Sequence, residues 1–142
     1  MERYRRHRDL LSDEAWARLC GTTCVIAGIG GLGGVVVSLL ARLGPLRLEL
    51  WDPASVDAPD LNRQLLYGDL DLGKPKTVAA AREVARVNPE VEVVTRAEAL
   101  TGESYRTAVA QSPGTLSSTR VLFDCVDSLT ARIGLERVRK EW

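Results

Sequence analysis

Gly28, Gly30, Gly31 and Gly33 stand in the run Gly28-Ile29-Gly30-Gly31-Leu32-Gly33, with apolar stretches on both sides. Glycines at this spacing let a backbone approach a phosphate closely. The N–H groups of the loop and the dipole of a helix that starts there stabilise the phosphate charge. Asp52 follows 24 residues beyond Gly28, where a carboxylate at a strand tip accepts hydrogen bonds from both ribose hydroxyls. Further along stand Arg63, Lys76 and the carboxylates Asp124 and Asp127. A dinucleotide needs fewer charges than this set supplies, whereas a triphosphate with Mg²⁺ uses them all. The cations stabilise phosphate charge, and an aspartate at the end of the fourth strand, Asp124 or Asp127, would hold the metal. The residues imply a nucleotide site.

Those side chains meet only if the elements carrying them share an edge. Thr23-Cys24-Val25-Ile26-Ala27 is an almost wholly apolar run ending in glycines, which predicts a strand buried on both faces. The glycine loop then opens a helix that stops at Gly44-Pro45, read as a C′ glycine and a breaker. Leu46–Trp51 alternates apolar and polar residues, and Val91–Val94 and Val121–Val126 add a third and a fourth strand. Helices are predicted after Ser12 (an N-cap), from Lys74-Pro75 to Asn88, after Thr101, and over Leu129–Glu141. Residues 53–73 read as a long functional loop with a short helical turn, and 111–118 as a Ser/Pro/Gly/Thr loop. The expectation is an α/β fold with a Rossmann-like, doubly wound, mostly parallel sheet of about four strands in the order 3-2-1-4. In such a sheet ligands bind at the carboxyl edge, where the glycine loop, Asp52 and Asp127 all fall. The far side of the fourth strand would be uncovered, so the sheet is expected to be incomplete: part of a longer polypeptide, or covered by a partner.

Composition narrows the possibilities. The 142 residues include 19 basic and 19 acidic side chains, and 45% are hydrophobic. Zero net charge argues against a general nucleic-acid binder. No apolar run approaches the roughly 18–20 residues of a membrane span. The basic start, residues 1–11, lacks an apolar segment of the secretory type and reads as an arm ahead of one domain over 12–142. Cys24 and Cys125 lie in apolar runs, as expected of free thiols in a reducing cytoplasm. Cys20 and Cys24 have no second pair with which to build a zinc site. His7, the only histidine, is read as a surface residue of the arm.

Several short pieces, in order and at matching spacing, carry a family resemblance. They are Gly28-Ile29-Gly30-Gly31-Leu32-Gly33, Leu50-Trp51-Asp52, Leu61-Asn62-Arg63-Gln64-Leu65-Leu66, Asp71-Leu72-Gly73-Lys74-Pro75-Lys76, Asn88-Pro89, and Asp124-Cys125-Val126-Asp127 with Arg132. The chain resembles the N-terminal adenylation half of the ThiF/MoeB/HesA family, bacterial relatives of ubiquitin-activating enzymes. The resemblance implies an ATP-dependent adenylyltransferase. It would activate the C-terminal carboxylate of a ubiquitin-like or sulfur-carrier protein as an acyl-adenylate, with release of pyrophosphate. It further implies that Gly28, Gly30, Gly31 and Gly33 cradle the nucleotide, that Asp52 binds the ribose, that Arg63 and Lys76 stabilise the phosphates and that Asp127 faces Mg²⁺. Arg6 is similar to the arginine that reaches into the neighbouring subunit's ATP site, which implies a homodimer or heterodimer.

Three positions depart from the family pattern. Asp60 stands where an Asn is usual and so puts a carboxylate beside the phosphates. Ala54 replaces a second acid, and Ser128 replaces an Asn. Two other readings stay open. One is a non-catalytic partner subunit with an adenylation-like fold. The other is an NAD(P)-binding oxidoreductase half, which has less use for Arg63 and Lys76.

Overall fold

The structure is a computed structural model and describes residues 2–44, 46–111 and 119–140. In chain order its main elements are α1 (Arg5–Arg8), α2 (Asp13–Cys20), β1 (Thr22–Ala27), α3 (Gly31–Leu43), β2 (Arg47–Trp51), α4 (Lys76–Val87), β3 (Glu92–Arg96), α5 (Gly102–Gln111), β4 (Thr119–Asp124) and α6 (Leu129–Arg139). Five of the six residues of β1 are buried, as its unbroken apolar sequence requires of a central strand. The sheet is four-stranded, wholly parallel and ordered β3-β2-β1-β4, the architecture expected from the alternating strands and helices. Ala27 pairs with Trp51 on one side and Asp124 on the other. The glycine loop, Asp52 and the turn after β4 therefore leave the sheet at one edge.

Alternate residues of β1 and β2 serve two cores. Cys24, Ile26, Leu48 and Leu50 pack with Val37 of α3 and with Ala80 and Val84 of α4. Val25, Ala27 and Trp51 face the opposite way, toward Tyr105 of α5 and Leu135 and Val138 of α6. This is the two-residue period of a strand. Burial of each large apolar side chain contributes about 2 kcal/mol, so the two layers fix the strand order between them.

Caps set several boundaries. Ser12 Oγ accepts the Ala15 N–H, and Thr101 Oγ1 accepts that of Ser104. The structure departs from expectation in three places. Residues 53–73 contain two 3-10 turns, Ala58–Asn62 and Asp69–Asp71, rather than one turn. Gly44 is extended (φ 179°) instead of left-handed, and it packs against Trp16 and Leu19. Pro45 and the loop residues 112–118 lie outside the described residues.

The third departure is the arm. Residues 2–8 are helical, and Tyr4 is buried. Asn88 Nδ2 donates to Tyr4 Oη at 2.8 Å and to Ala41 O at 2.9 Å, Arg3 donates to Val87 O, and His7 Nε2 lies 2.6 Å from Leu43 O. His7 is accordingly half-buried rather than free on the surface. An aromatic ring with a satisfied hydroxyl anchors the segment, and the four arginines around it hide that anchor in a composition count. The segment is clamped to the C-terminal ends of α3 and α4.

Candidate functional site

The carboxyl edge of the sheet opens into a cleft of about 930 Å³. The glycine loop forms its floor. Gly28 adopts φ +87°, where an L side chain is strained, and a Cβ there would sit 2.8 Å from Cys125 O. A Cβ on Gly33 would stand 1.9 Å from Gly28 O, so α3 meets the loop at a distance only glycine allows. The N-cap residue Gly30 offers no side chain to the first-turn amides of α3, which have no partners within the helix. Amides so placed can donate to an anion.

Two residues brace that floor. Asp52, buried at the tip of β2, accepts the N–H of Ile29 at 2.7 Å and that of Ala54 at 2.8 Å. Tyr67 Oη donates to Ile29 O at 2.6 Å. Burial, with the charges of Asp52, Asp60 and Asp71 adding to it, raises the Tyr67 hydroxyl well above the usual tyrosine range, so it remains a donor. Nothing in the sequence around Tyr67 marks it for this role.

The charged residues converge from three directions. Lys76, in the first turn of α4, and Asp60, in the turn Ala58–Asn62, are paired at 3.0 Å and both are buried. Asp60 also accepts from Gln64 Nε2 at 2.6 Å and from the Asp57 N–H at 3.0 Å. Burial pushes the Asp60 carboxyl up, but the Asp57 N–H and Lys76 outweigh it and hold the group below its ordinary value. Arg63 is exposed, its stem against Gly31, with Nη1 donating to Pro59 O. Asp127 is exposed and lines the cleft where β4 turns into α6. That turn is held by Arg132, which pairs with Asp124 at 2.9 Å and donates to Val126 O at 3.0 Å. Ser128, at the position of the family's Asn, caps α6 through the Ala131 N–H.

The cleft thus gathers Gly28, Gly30, Gly31, Asp52, Asp60, Arg63, Lys76 and Asp127, with Gly33 packed beneath the loop. Arg6 is elsewhere. Its helix is tied to Leu43 at the far end of α3, and α3 spans 13 residues, or about 20 Å. Arg6 cannot reach the cleft of its own chain. Sequence reasoning gave no role to Trp51 or Gln64, yet both line the cleft. Trp51 Nε1 and Gln64 Oε1 are buried without a hydrogen-bond partner in the described chain, the kind of orphan that a ligand satisfies. Among the described residues no three His, Cys, Asp or Glu converge as a cation site.

A wholly parallel sheet with a glycine loop and a strand-tip carboxylate at its carboxyl edge defines a Rossmann-like α/β domain. More specifically, the chain belongs to the ThiF family, whose profile matches residues 4–140. It is 32% identical over 144 residues to protein HesA, vegetative, of Trichormus variabilis, covering 100% of this chain and 52% of that protein. It is 30% identical over 115 residues to the sulfur carrier protein ThiS adenylyltransferase of Escherichia coli, covering 81% and 43%. The chain therefore spans about half the length of these relatives. The structure of E. coli tRNA N6-threonylcarbamoyladenosine dehydratase, TcdA, in complex with ATP superposes with a TM-score of 0.76 at 24% identity, covering 98% of this chain and 56% of that one. That likeness shows the shared fold.

Proposed function

We propose that the cleft binds ATP with Mg²⁺ and serves adenylation of the C-terminal carboxylate of a ubiquitin-like or sulfur-carrier protein. One observation carries this reading: the glycine cradle, Arg63 and Lys76 line one cleft. The residues fit the ligand. The floor admits only glycine at Gly33, and Gln64 Oε1 and Trp51 Nε1 are unpartnered polar atoms. One exposed carboxylate, Asp127, suits a cation that arrives on phosphates and keeps most of its waters. The relatives named above include an adenylyltransferase acting on the sulfur carrier ThiS and a neighbour solved with ATP, which supports the same choice.

The chemistry asks little of the protein beyond position and charge. A carboxylate oxygen of the carrier attacks the α-phosphorus, the bond to the bridging oxygen breaks, and pyrophosphate leaves with the electron pair. The acyl-adenylate remains. Attacking and leaving groups are both anionic, so the cations and first-turn amides lower the barrier by offsetting charge that moves onto the leaving oxygens. Asp52 would hold the ribose while bracing the loop.

A second chain belongs to this reading. Leu32, Val35, Leu39 and Leu43 form an exposed apolar stripe along α3, spaced as one face of a helix. Packing α3 against its copy about a two-fold axis perpendicular to the helix would run the two copies antiparallel and set Leu43 of one chain near Leu32 of the other. The partner's α1, fastened beside its Leu43, would then stand near this chain's cleft and bring the partner's Arg6 toward it. A heterodimer with an active relative would use the same face. No described helix is long and apolar enough to cross a membrane. The three cysteines are free, as in a reducing cytoplasm. The balanced charge supports a protein partner over nucleic acid.

The test is ATP–pyrophosphate exchange with candidate carriers present. Exchange that depends on the carrier's C-terminal glycine is expected. Binding of Mg·ATP without exchange under any pairing would favour the non-catalytic partner reading.

A further inference from the structure

Among the described residues, three carboxylates, Asp52, Asp60 and Asp127, share the cleft wall with two cations, Arg63 and Lys76. One of those cations is not free. Lys76 Nζ lies 3.0 Å from Asp60 Oδ2, and both side chains are about nine-tenths buried. Asp60 is itself immobilised, because Gln64 Nε2 holds Oδ1 and the Asp57 N–H holds Oδ2. Asp57 completes the arrangement by capping the turn that carries Asp60. The carboxylate is therefore a built part of the cleft wall, and a phosphate seeking Lys76 meets a negative charge already bound to it.

We propose that Asp60 is a specificity-determining residue whose ion pair with Lys76 makes binding of a polyphosphate conditional on a divalent cation. The inference rests on the nucleotide reading above. A bare triphosphate adds about four negative charges to a wall that is already net negative. A divalent cation carried on the phosphates offsets that excess, and Asp60 then no longer opposes entry. Each added phosphate without the cation brings more repulsion from Asp60 and gains less from the shared ammonium. A nucleoside, having no phosphate, is indifferent to the pair.

Isothermal titration of the full chain with adenosine, AMP, ADP and ATP, each with and without Mg²⁺, tests this for the wild type and Asp60→Asn. The wild type is expected to bind bare ATP no more tightly than AMP, and to bind Mg·ATP much more tightly than either. Asp60→Asn should strengthen bare ATP by about tenfold, less for ADP and AMP, and leave adenosine unchanged, as expected when a screened like charge a few ångströms away is removed. Several results would overturn the proposal: wild-type bare ATP binding about tenfold tighter than AMP, an equal change for adenosine and ATP, or weaker bare ATP in the variant. The wild-type comparison stands even if the variant does not fold. Binding of none of the four ligands by the wild type would overturn the nucleotide reading itself.

Discussion

Asp52 Oδ2 accepts the backbone N–H of Ile29 at 2.7 Å, which fastens the tip of β2 to the glycine loop that leaves β1. Oδ1 accepts the Ala54 N–H at 2.8 Å and so also fixes the start of the long loop toward Lys76. Each oxygen keeps a further lone pair, and a ribose hydroxyl can still be accepted. The residue is a brace first and a ligand second. Asp52→Ala should therefore lower stability by about 2 kcal/mol even without nucleotide, because two amide groups lose a charged acceptor. Urea unfolding of the free protein checks this, and an unchanged midpoint would mean that the brace carries no weight.

The glycines of the cleft are not equivalent. Gly33→Ala puts a methyl 1.9 Å from Gly28 O and should cost about 2–3 kcal/mol, as over-packing against immovable backbone does. Gly134, within α6, has open space where a Cβ would stand, with nothing within 4 Å. Gly134→Ala should stabilise by about 0.5–1 kcal/mol through helix propensity. Thermal unfolding of the pair reads both signs at once.

Much of this was legible in the residues. The unbroken apolar run of β1 marks a central strand, the alternating run of β2 marks its neighbour, and their order follows from right-handed crossovers. Asp52 at a strand tip and the glycine spacing locate the cleft. Side-chain pairing across the loop was not legible. Asp60 reads as a charge facing phosphate, and only the fold of residues 57–76 turns it toward Lys76. Tyr4 sits among arginines, and its burial depends on Asn88, far along the chain. Gly44 ends a helix, yet Trp16 and Leu19, not a left-handed turn, decide its conformation.

Asp71 contributes to the acid limb of stability. Burial pushes its carboxyl up, but Arg82, whose two nitrogens lie 2.7 and 2.8 Å from it, and the Gly68 N–H outweigh burial and hold it below its ordinary value. A group depressed in the folded state contributes above its unfolded value, about pH 4, and that contribution is lost as pH falls through the folded value. Asp71→Asn should therefore lower stability at neutral pH and flatten the loss below about pH 4. Urea midpoints from pH 7 to pH 2.5 test it; parallel curves for both proteins would contradict it.

Assembly through α3 has its own signature. Leu39, 66% exposed, lies at the middle of the stripe, so Leu39→Glu should convert a dimer to a monomer by sedimentation. Arg6→Ala should leave the dimer intact and weaken adenylation, since it removes a cation and no packing. A wild type that stays monomeric at high concentration, or indifference to Arg6→Ala in a dimer that adenylates, would count against the trans role.

The central claim is that the cleft takes a triphosphate with its cation. Differential scanning calorimetry of the wild type with Mg·ATP or NAD at equal concentration tests it most directly, because a ligand stabilises only the state it binds. Mg·ATP should raise the melting temperature by several degrees, as about 2–3 kcal/mol does in a domain of this size, while NAD leaves it unchanged. An equal rise with both ligands, or a rise with NAD alone, would contradict the account.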